Sequence, residues 1–325
     1  MKVLLAKPRG YCAGVDRAID VVYLALEIYG PPVYMRHQIV HNKEVVKRLE
    51  SRGAIFVEET SEIPEGAVTV FSAHGVPPQV RQEAEKRKLR TIDATCPLVT
   101  KVHIEAKLYA DKGFAIVLIG HKGHVEMEGT MGEAPSATTL IETKEEARTI
   151  EIKNPAKTII LTQTTLSLED TAETIGVLKK RFPEIHLPPK EDICYATTNR
   201  QSAVKKIAPL CDLFLAVGAP ESSNTNRLVE SAKKHGCLKA YLIEKPDDIS
   251  DEWLKNVETI GLSAGASAPE DLVQSVIQYL RRRGVSEVEE VTTLDEEVKF
   301  TLPQVITAEA KDKGVGRSIL EKHRF

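Results

Sequence analysis

Short apolar runs alternate with longer amphipathic segments along most of the chain, and this alternation is what most limits the folds open to it. Runs such as Lys2–Ala6 and Phe114–Ile119 are typical of buried strands, whereas Pro97–Asp111 and Leu168–Arg181 have the length and periodicity of helices. Strands that alternate with helices predict an α/β fold with mostly parallel sheets. The 325 residues are enough for two or three compact domains.

The same patterns predict further elements along the chain. The other predicted strands are Ala54–Glu58, Ala67–Phe71, Thr158–Leu161, Asp212–Val217, Lys239–Ile243 and Thr259–Leu262. The other predicted helices are Asp16–Tyr29, Pro78–Lys88, Asn224–His235 and Pro269–Arg283.

Charge and hydropathy exclude several classes of function. The formal net charge is −3, so no broad positive field is available to bind nucleic acid. No apolar run approaches the roughly 18 residues that a membrane-spanning helix needs. The five cysteines, without a recognisable export signal, favour a reducing compartment in which thiols act as ligands, nucleophiles or core residues. We therefore expect a cytoplasmic protein that binds neither nucleic acid nor membrane.

Three of the cysteines lie where a strand-like run gives way to a helix-like one. Cys12 lies in a glycine-rich turn between the first strand and a helix, Cys96 lies just ahead of a predicted helix, and Cys194 lies at a third strand-to-helix connection. A helix N-terminus lowers the pKa of a thiol and so favours the thiolate that binds metal. Three thiolates in similar settings suit a [4Fe–4S] cluster with one iron left free for substrate. Taken singly, each fits a small buried residue equally well, and for Cys211 and Cys237 simple packing is the expected role.

Three histidines lie at predicted loops or strand ends. They are His41, His74 and His124, and each has glycine or other small or polar residues near it. Imidazoles suit a diphosphate because they donate hydrogen bonds and can carry positive charge near neutral pH. They are equally suited to bind zinc, so a Cys/His zinc hydrolase of phosphate esters is an alternative.

A second kind of anion site is predicted after the strand Asp212–Val217. Ser222, Ser223 and Asn224 open a helix, where backbone N–H groups and hydroxyls face the same way. The same residues also make an ordinary helix N-cap. Ser267 is a further hydroxyl just before a helix start. The chain lacks the GxxxxGK[ST] pattern, which argues against a P-loop nucleotidase.

A carboxyl group and two hydroxyls complete the set of candidate residues. Glu126 follows His124 by two positions and is a candidate proton donor or relay. Thr164 and Thr165 follow the predicted strand Thr158–Leu161 and can orient a substrate hydroxyl, although threonine before a helix is also a common cap. Ligands of open α/β sheets bind beyond the carboxyl ends of strands, where these residues are expected to lie.

Taken together, these segments resemble the LytB family of 4-hydroxy-3-methylbut-2-enyl diphosphate reductases. The resemblance covers most of the chain, from the first strand to about residue 270. The stretches that carry it are Pro8–Asp16, Arg36–Asn42, Phe71–Val76, Asp93–His103, Gly120–Met131, Thr162–Ser167, Asp192–Gln201, Ser222–Arg227 and Ala264–Pro269.

The resemblance implies a fold of three similar α/β domains in a clover-leaf arrangement around a central iron–sulfur cluster. The implied boundaries are residues 14–96, residues 97–193, residues 1–13 with 194–284 as a discontinuous third domain, and a C-terminal extension, 285–325. No role is carried onto the extension.

The resemblance also implies a role for each candidate residue. Cys12, Cys96 and Cys194 would ligate one [4Fe–4S] cluster per chain, with one open iron. Substrate-binding positions would be His41, His74, His124, Thr164, Thr165, Ser222, Ser223, Asn224 and Ser267. Glu126, Thr164 and His124 would be the catalytic residues.

The implied reaction is reduction of an allylic diphosphate to isopentenyl and dimethylallyl diphosphates. The partners implied are that substrate and an electron donor of the flavodoxin or ferredoxin type with its reductase. A non-catalytic iron–sulfur sensor is a further alternative, although it leaves the Ser222-Ser223-Asn224 segment unexplained.

Overall fold

The structure is a computed structural model that describes residues 1–315, and within them the chain alternates between strands and helices. The strands are β1 (Lys2–Lys7), β2 (Val33–Arg36), β3 (Ala54–Val57), β4 (Val68–Phe71), β5 (Arg90–Asp93), β6 (Ala115–Ile119), β7 (Thr138–Ile141), β8 (Thr158–Thr162), β9 (Leu213–Val217), β10 (Ala240–Ile243), β11 (Thr259–Ala264) and β12 (Glu287–Thr292). The helices are α1 (Ala13–Tyr29), α2 (Lys43–Glu50), α3 (Pro78–Lys86), α4 (Pro97–Asp111), α5 (Val125–Glu133), α6 (Lys144–Thr149), α7 (Leu168–Arg181), α8 (Tyr195–Ile207), α9 (Ser223–Lys234), α10 (Glu270–Arg282) and α11 (Gln304–Asp312).

The strands form three separate parallel sheets, as the alternating pattern predicts for an α/β fold. The first sheet has the order β3-β2-β4-β5, the second β7-β6-β8, and the third β10-β9-β11-β1-β12. Every strand pair in these sheets is parallel. The N-terminal strand β1 lies in the third sheet between β11 and β12, so this sheet is built from both ends of the chain.

The apolar pattern indicates eight of the twelve strands found in residues 1–315. β9 and β8 are buried along their whole length, and both were predicted. The pattern missed β12, whose sequence EVEEVT is largely exposed at the edge of the third sheet. It also missed β5 and β7, which are edge strands as well, and the central strand β2, which is mostly buried. Edge strands face water on one side, so their sequences need not be apolar.

Helix α1 is more buried than its neighbours because it is covered on several sides. It packs on the first sheet, and α11 near the C-terminus packs against it as well. Ile306 of α11 is fully buried in this contact, which is worth roughly 1.5–3 kcal/mol for a side chain of this kind. The C-terminal segment therefore runs from the third sheet to the helix that covers the first sheet. Residues 316–325 of the predicted extension lie outside the described residues.

The sheets and helices bring functional positions to one place. The carboxyl ends of β4, β8 and β11 lead into turns that carry His74, Thr164 and Ser267. Across residues 1–315, no helix has both the length and the apolar character needed to cross a bilayer.

Candidate active site

All of the candidate residues line one cavity. Its empty volume is about 680 Å³, which lies in the range of small-molecule sites. The candidate residues in its wall are Cys12, Cys96, Cys194, His41, His74, His124, Glu126, Thr164, Thr165, Ser222, Ser223, Asn224 and Ser267. The cavity therefore brings together residues from the turns of all three sheets.

Each of the three cysteines is the residue immediately before a helix. Cys12 precedes α1, Cys96 precedes α4, and Cys194 precedes α8. Their backbone N–H groups donate to carbonyls in neighbouring turns of the cavity wall: Cys12 to Ala266 at 3.3 Å, Cys96 to Ala73 at 2.9 Å, and Cys194 to Thr164 at 3.0 Å. Each bond therefore holds a cysteine beside a candidate substrate-binding residue or beside the sequence neighbour of such a residue.

The expectation that helix N-termini lower the pKa values of these thiols is wrong for the protein without a bound metal. Burial raises the pKa of Cys96 to about 12, with the neighbouring Cys12 adding to the shift, and it raises that of Cys194 to about 11. Burial also raises the pKa of Cys12, while the charge of Arg200 acts in the opposite direction. The loss of hydration outweighs the helix dipole because the thiols face an enclosed cavity.

The donor set fits a polynuclear iron–sulfur group. A methyl group built on Gly14 would lie 2.7 Å from Cys96 Sγ and 3.8 Å from Cys12 Sγ, so these thiols flank a space that only glycine leaves open. Within residues 1–315, no three His, Cys, Asp or Glu side chains converge as the ligands of a single metal ion do. Three cysteine thiols in one cavity are the ligand type that iron–sulfur clusters use. Metal binding would displace the thiol protons.

The three histidines form a compact group on one side of the cavity. The rings of His41 and His74 are stacked with centroids 4.2 Å apart. The ring of His124 stands edge-on to both, at 5.3 Å from His41 and 5.9 Å from His74. The Nε2 atom of His41 is buried and has no hydrogen-bond partner, so it is available to a ligand.

Burial keeps these imidazoles neutral, which corrects the expectation that they carry positive charge. It lowers the pKa of His74 well below its ordinary value, with further lowering from His41 and His124. Burial lowers the pKa of His124 to about 3 and also lowers that of His41. In the free protein they are therefore hydrogen-bond donors without charge, and an arriving anion would raise their pKa values.

The serine and asparagine side chains are held by bonds within the cavity wall. Asn224 Oδ1 accepts from the backbone of Ala266 at 2.9 Å, and its Nδ2 donates to Thr197 Oγ1 at 3.3 Å. Ser267 Oγ donates to the carbonyl of His41 at 3.0 Å. The Asn224 bonds hold together turns and helix starts around the third sheet, and the Ser267 bond joins the third sheet to the first.

Glu126 is a buried carboxyl group that is held by a threonine. Thr164 donates to it twice, from its backbone N–H at 2.7 Å and from its hydroxyl at 3.0 Å. Burial raises the pKa of Glu126 to about 7, although both hydrogen bonds from Thr164 act against the shift. A carboxyl group with this pKa can both hold and release a proton near neutral pH.

The cavity attracts anions through dipoles. Of the described residues in its wall, none is a lysine or an arginine. However, α1, α4, α5, α8 and α9 each begin directly after a residue of the wall, so the positive ends of these helices surround it. Helix N-termini bind phosphates through unpaired N–H groups and the helix dipole.

Thr197 and Gly14 are among the wall residues that sequence reasoning did not single out. Thr197 donates its backbone N–H to Cys194 Sγ at 3.4 Å, and its hydroxyl lies 3.2 Å from the same sulfur. Its position three residues after the cysteine is the usual place for the partner of a helix cap, which is a signal that the sequence contains. Gly14 was missed because the contact that requires it comes from Cys96, far away in the sequence.

Comparison with known proteins identifies relatives over most of the chain. The sequence model of the family described as LytB protein matches residues 3–281. A 4-hydroxy-3-methylbut-2-enyl diphosphate reductase of Acidothermus cellulolyticus is 53% identical, over 96% of this chain and 92% of its own length. One of Haemophilus influenzae is 54% identical, over 94% of this chain and 98% of its own.

Solved structures agree with the sequence comparison. The structure of the E-1-hydroxy-2-methyl-but-2-enyl-4-diphosphate reductase of Plasmodium falciparum superposes with a TM-score of 0.92 at 40% identity, and covers 96% of this chain and 98% of that one. A second structure, described as (E)-4-hydroxy-3-methyl-but-2-enyl diphosphate reductase, gives a TM-score of 0.61 at 32% identity, over 86% of this chain and 99% of the other.

Proposed function

The chain belongs to the LytB protein family, and from this premise we propose that it reduces 4-hydroxy-3-methylbut-2-enyl diphosphate to isopentenyl and dimethylallyl diphosphates. This is the last step of the methylerythritol phosphate route to isoprenoids. The observation that supports the proposal most is the single cavity shared by three thiols, three neutral histidines and a protonatable carboxyl group. Relatives that are more than half identical carry the name of this reductase.

Cys12, Cys96 and Cys194 are the residues that would hold a [4Fe–4S] cluster, one per chain. When bound, such a cluster would pass electrons to the substrate and, because only three cysteines would ligate it, would supply an iron able to act as a Lewis acid. The three cysteines lie at the boundaries of the proposed domains: Cys96 ends residues 14–96, and Cys12 and Cys194 belong to the third domain, 1–13 with 194–284, next to its boundaries with 14–96 and 97–193.

The diphosphate group is bound by donors rather than by cations. His41, His74 and His124 donate from neutral rings, and the N-terminus of α9 donates through Ser222, Ser223 and Asn224. Ser267 and Thr165 complete the wall. Oriented donors in a buried cavity stabilise an anion without reorganisation, and binding far from the reacting carbon fixes its position.

Glu126 supplies the proton that the leaving hydroxyl group needs. Hydroxide is a poor leaving group, and protonation allows the hydroxyl to depart as water. Thr164 holds both oxygens of Glu126 and, through its own hydroxyl, links the carboxyl group to the substrate side of the cavity. His124 begins the helix that carries Glu126 and keeps it in place. The net reaction takes two electrons and two protons and releases one water.

The electrons come from outside the chain. We propose a small carrier of the flavodoxin or ferredoxin type, kept reduced by its own reductase, as the donor. The substrate diphosphate is the other partner.

Anaerobic purification followed by turnover with a chemical reductant tests this function. The expected result is a brown protein with about four irons and four sulfides per chain, which forms both products from the allylic diphosphate. A colourless protein that binds one zinc ion and hydrolyses phosphate esters would replace the proposal with the hydrolase. An iron–sulfur protein that forms no product under these conditions would replace it with a sensor.

A further inference from the structure

Each of the helices that follow a candidate ligand cysteine carries a basic residue at nearly the same position. It lies five positions after the first and second cysteines and six after the third. The three residues are Arg17 in α1, Lys101 in α4 and Arg200 in α8. The sequences around them, CAGVDR, CPLVTK and CYATTNR, have little else in common.

Arg17 reaches from the helix of Cys12 to the turn of Cys96. Its Nη1 donates to the carbonyl of Thr95 at 3.0 Å, and Thr95 is the residue before Cys96. The side chain therefore connects the first cysteine with the backbone that carries the second.

Lys101 makes the corresponding contact between the helix of Cys96 and the turn of Cys194. From the helix of Cys96, its Nζ donates to the carbonyl of Lys190 at 2.7 Å and forms an ion pair with Asp192. Asp192 is buried, stands two residues before Cys194, and accepts from the backbone of Thr162 at 2.8 Å. Lys101 thus fixes the turn that leads into Cys194.

Arg200 makes the third contact of this kind, from the helix of Cys194 back to the turn of Cys12. From the helix of Cys194, it donates to the carbonyl of Gly10 at 2.7 Å and to that of Tyr11 at 3.1 Å, immediately before Cys12. This guanidinium is completely buried. Each helix therefore holds the turn of the next cysteine, and the third holds the turn of the first.

We propose that Arg17, Lys101 and Arg200 form a closed basic ring that sets the relative positions of the three thiols for the cluster. They are positioning residues, since they act through the cysteine turns. The inference rests on the proposed function, because it takes the cysteines to be cluster ligands. The same three-way connection, made by different residues in three different sequences, is hard to explain as independent packing.

The C-terminal segment contacts two members of the ring. Glu296 forms an ion pair with Arg200 at 3.0 Å, and the carbonyl of Thr301 accepts from Arg17 Nε at 2.8 Å. This gives residues 296–301 a role that the sequence alone does not indicate. It also places one carboxylate beside the arginine nearest the turn of Cys12.

Charge gives the ring a second effect. The potential of an iron–sulfur cluster depends on nearby charges, and reduction adds negative charge. A cation close to the thiols therefore favours the reduced cluster, whereas the carboxylate of Glu296 opposes it. Substitutions at the two kinds of position should shift the midpoint potential in opposite directions.

Iron release is the first test. Anaerobically purified Arg17→Met and Lys101→Met should lose iron to excess EDTA about tenfold faster than the parent, which corresponds to about 1.4 kcal/mol. Arg17→Lys and Lys101→Arg, which keep the charge and one donor, should stay close to the parent rate. Arg283→Met is the matched control, since Arg283 pairs with Asp251 at the end of α10 far from the cavity.

The midpoint potential of the cluster is the second test. Loss of packing alone would not shift this potential in opposite directions when a cation or a carboxylate is removed. Arg17→Met should lower the potential and Glu296→Gln should raise it. Parent-like iron release in both methionine variants, or potential shifts of the same sign, would overturn the ring while leaving the proposed function intact. A parent protein that binds no iron would overturn both. Glu296→Gln is a mild substitution, so this arm remains informative even if a ring variant fails to fold.

Discussion

Replacing Gly14 with alanine would place a methyl group directly against a proposed cluster ligand. The added Cβ would lie 2.7 Å from Cys96 Sγ, whereas ordinary van der Waals contact begins at 3.4 Å. The sulfur atom or the start of α1 must therefore move by the difference between 3.4 and 2.7 Å, about 0.7 Å. Metal–ligand distances tolerate only about 0.2 Å, so the thiol can no longer serve the same cluster as Cys12 and Cys194.

The fold itself should tolerate this substitution. Gly14 lies in the first turn of α1 and is not among the glycines with positive φ. Alanine in a helix is usually more stable than glycine by about 0.5–1 kcal/mol. We therefore expect the cluster-free Gly14→Ala variant to have a Tm close to that of the cluster-free parent.

The assay is iron and sulfide content after anaerobic reconstitution, with thermal unfolding of the cluster-free protein beside it. Gly14→Ala should retain less than about half of the parent's four irons, with little change in Tm. Gly176→Ala is the matched control, because that glycine is also helical and a Cβ there would meet nothing within 4 Å. If Gly14→Ala held as much iron as Gly176→Ala, the thiols would not flank the cluster as argued.

Three further positions give predictions of different kinds. Glu126→Gln should keep its iron but lose turnover by about 100-fold or more, as measured by product formation with a chemical reductant. Burial raises the pKa of Glu126 to about 7, whereas in the unfolded chain this carboxyl group ionises at its ordinary, lower pKa. The folded state therefore loses stability relative to the unfolded state as pH rises from that ordinary pKa through 7. In cluster-free protein, the Tm of Glu126→Gln should therefore increase relative to that of the parent as pH rises over this range. A difference in Tm that does not depend on pH would contradict the assigned pKa. Asn224→Ala removes the bonds to Ala266 and Thr197 and should raise KM about tenfold or more with iron unchanged; an unchanged KM would remove Asn224 from the substrate site. Ile306→Ala should lower the free energy of unfolding by about 2–5 kcal/mol in urea titration, and a loss below 1 kcal/mol would mean that α11 packs loosely on α1.

The fold class was predictable because buried strands and amphipathic helices leave regular apolar patterns. α4 and α7 begin and end at the predicted residues. α5 was not predicted, since its nine residues include two glycines and carry few apolar side chains. Both glycines, Gly129 and Gly132, lie against other parts of the chain, Gly129 against the ring of His103. Such contacts between distant residues leave no local pattern.

The site was predictable in its residues and not in its electrostatics. Cysteine, histidine and serine before helices are visible in the sequence, and the cavity wall contains the candidates. The pKa values were wrong in direction for the thiols, because a helix start is visible in a sequence whereas the degree of burial is not. The basic ring was missed for a similar reason. A lysine or arginine in a helix usually faces solvent, and nothing local shows that Arg200 is buried.

The position of β1 determines when the protein can become functional during synthesis. Lys2 pairs with Thr259 on one side and with Glu287 on the other, so the third sheet cannot close until the chain has been synthesised as far as β12, which ends at Thr292. The first and second sheets contain only local segments and can form earlier. The turn of Cys12 follows β1 and can therefore reach its final position only after β12 has been synthesised. A chain truncated before β12 would leave one edge of β1 unpaired, and the turn of Cys12 would be held less firmly.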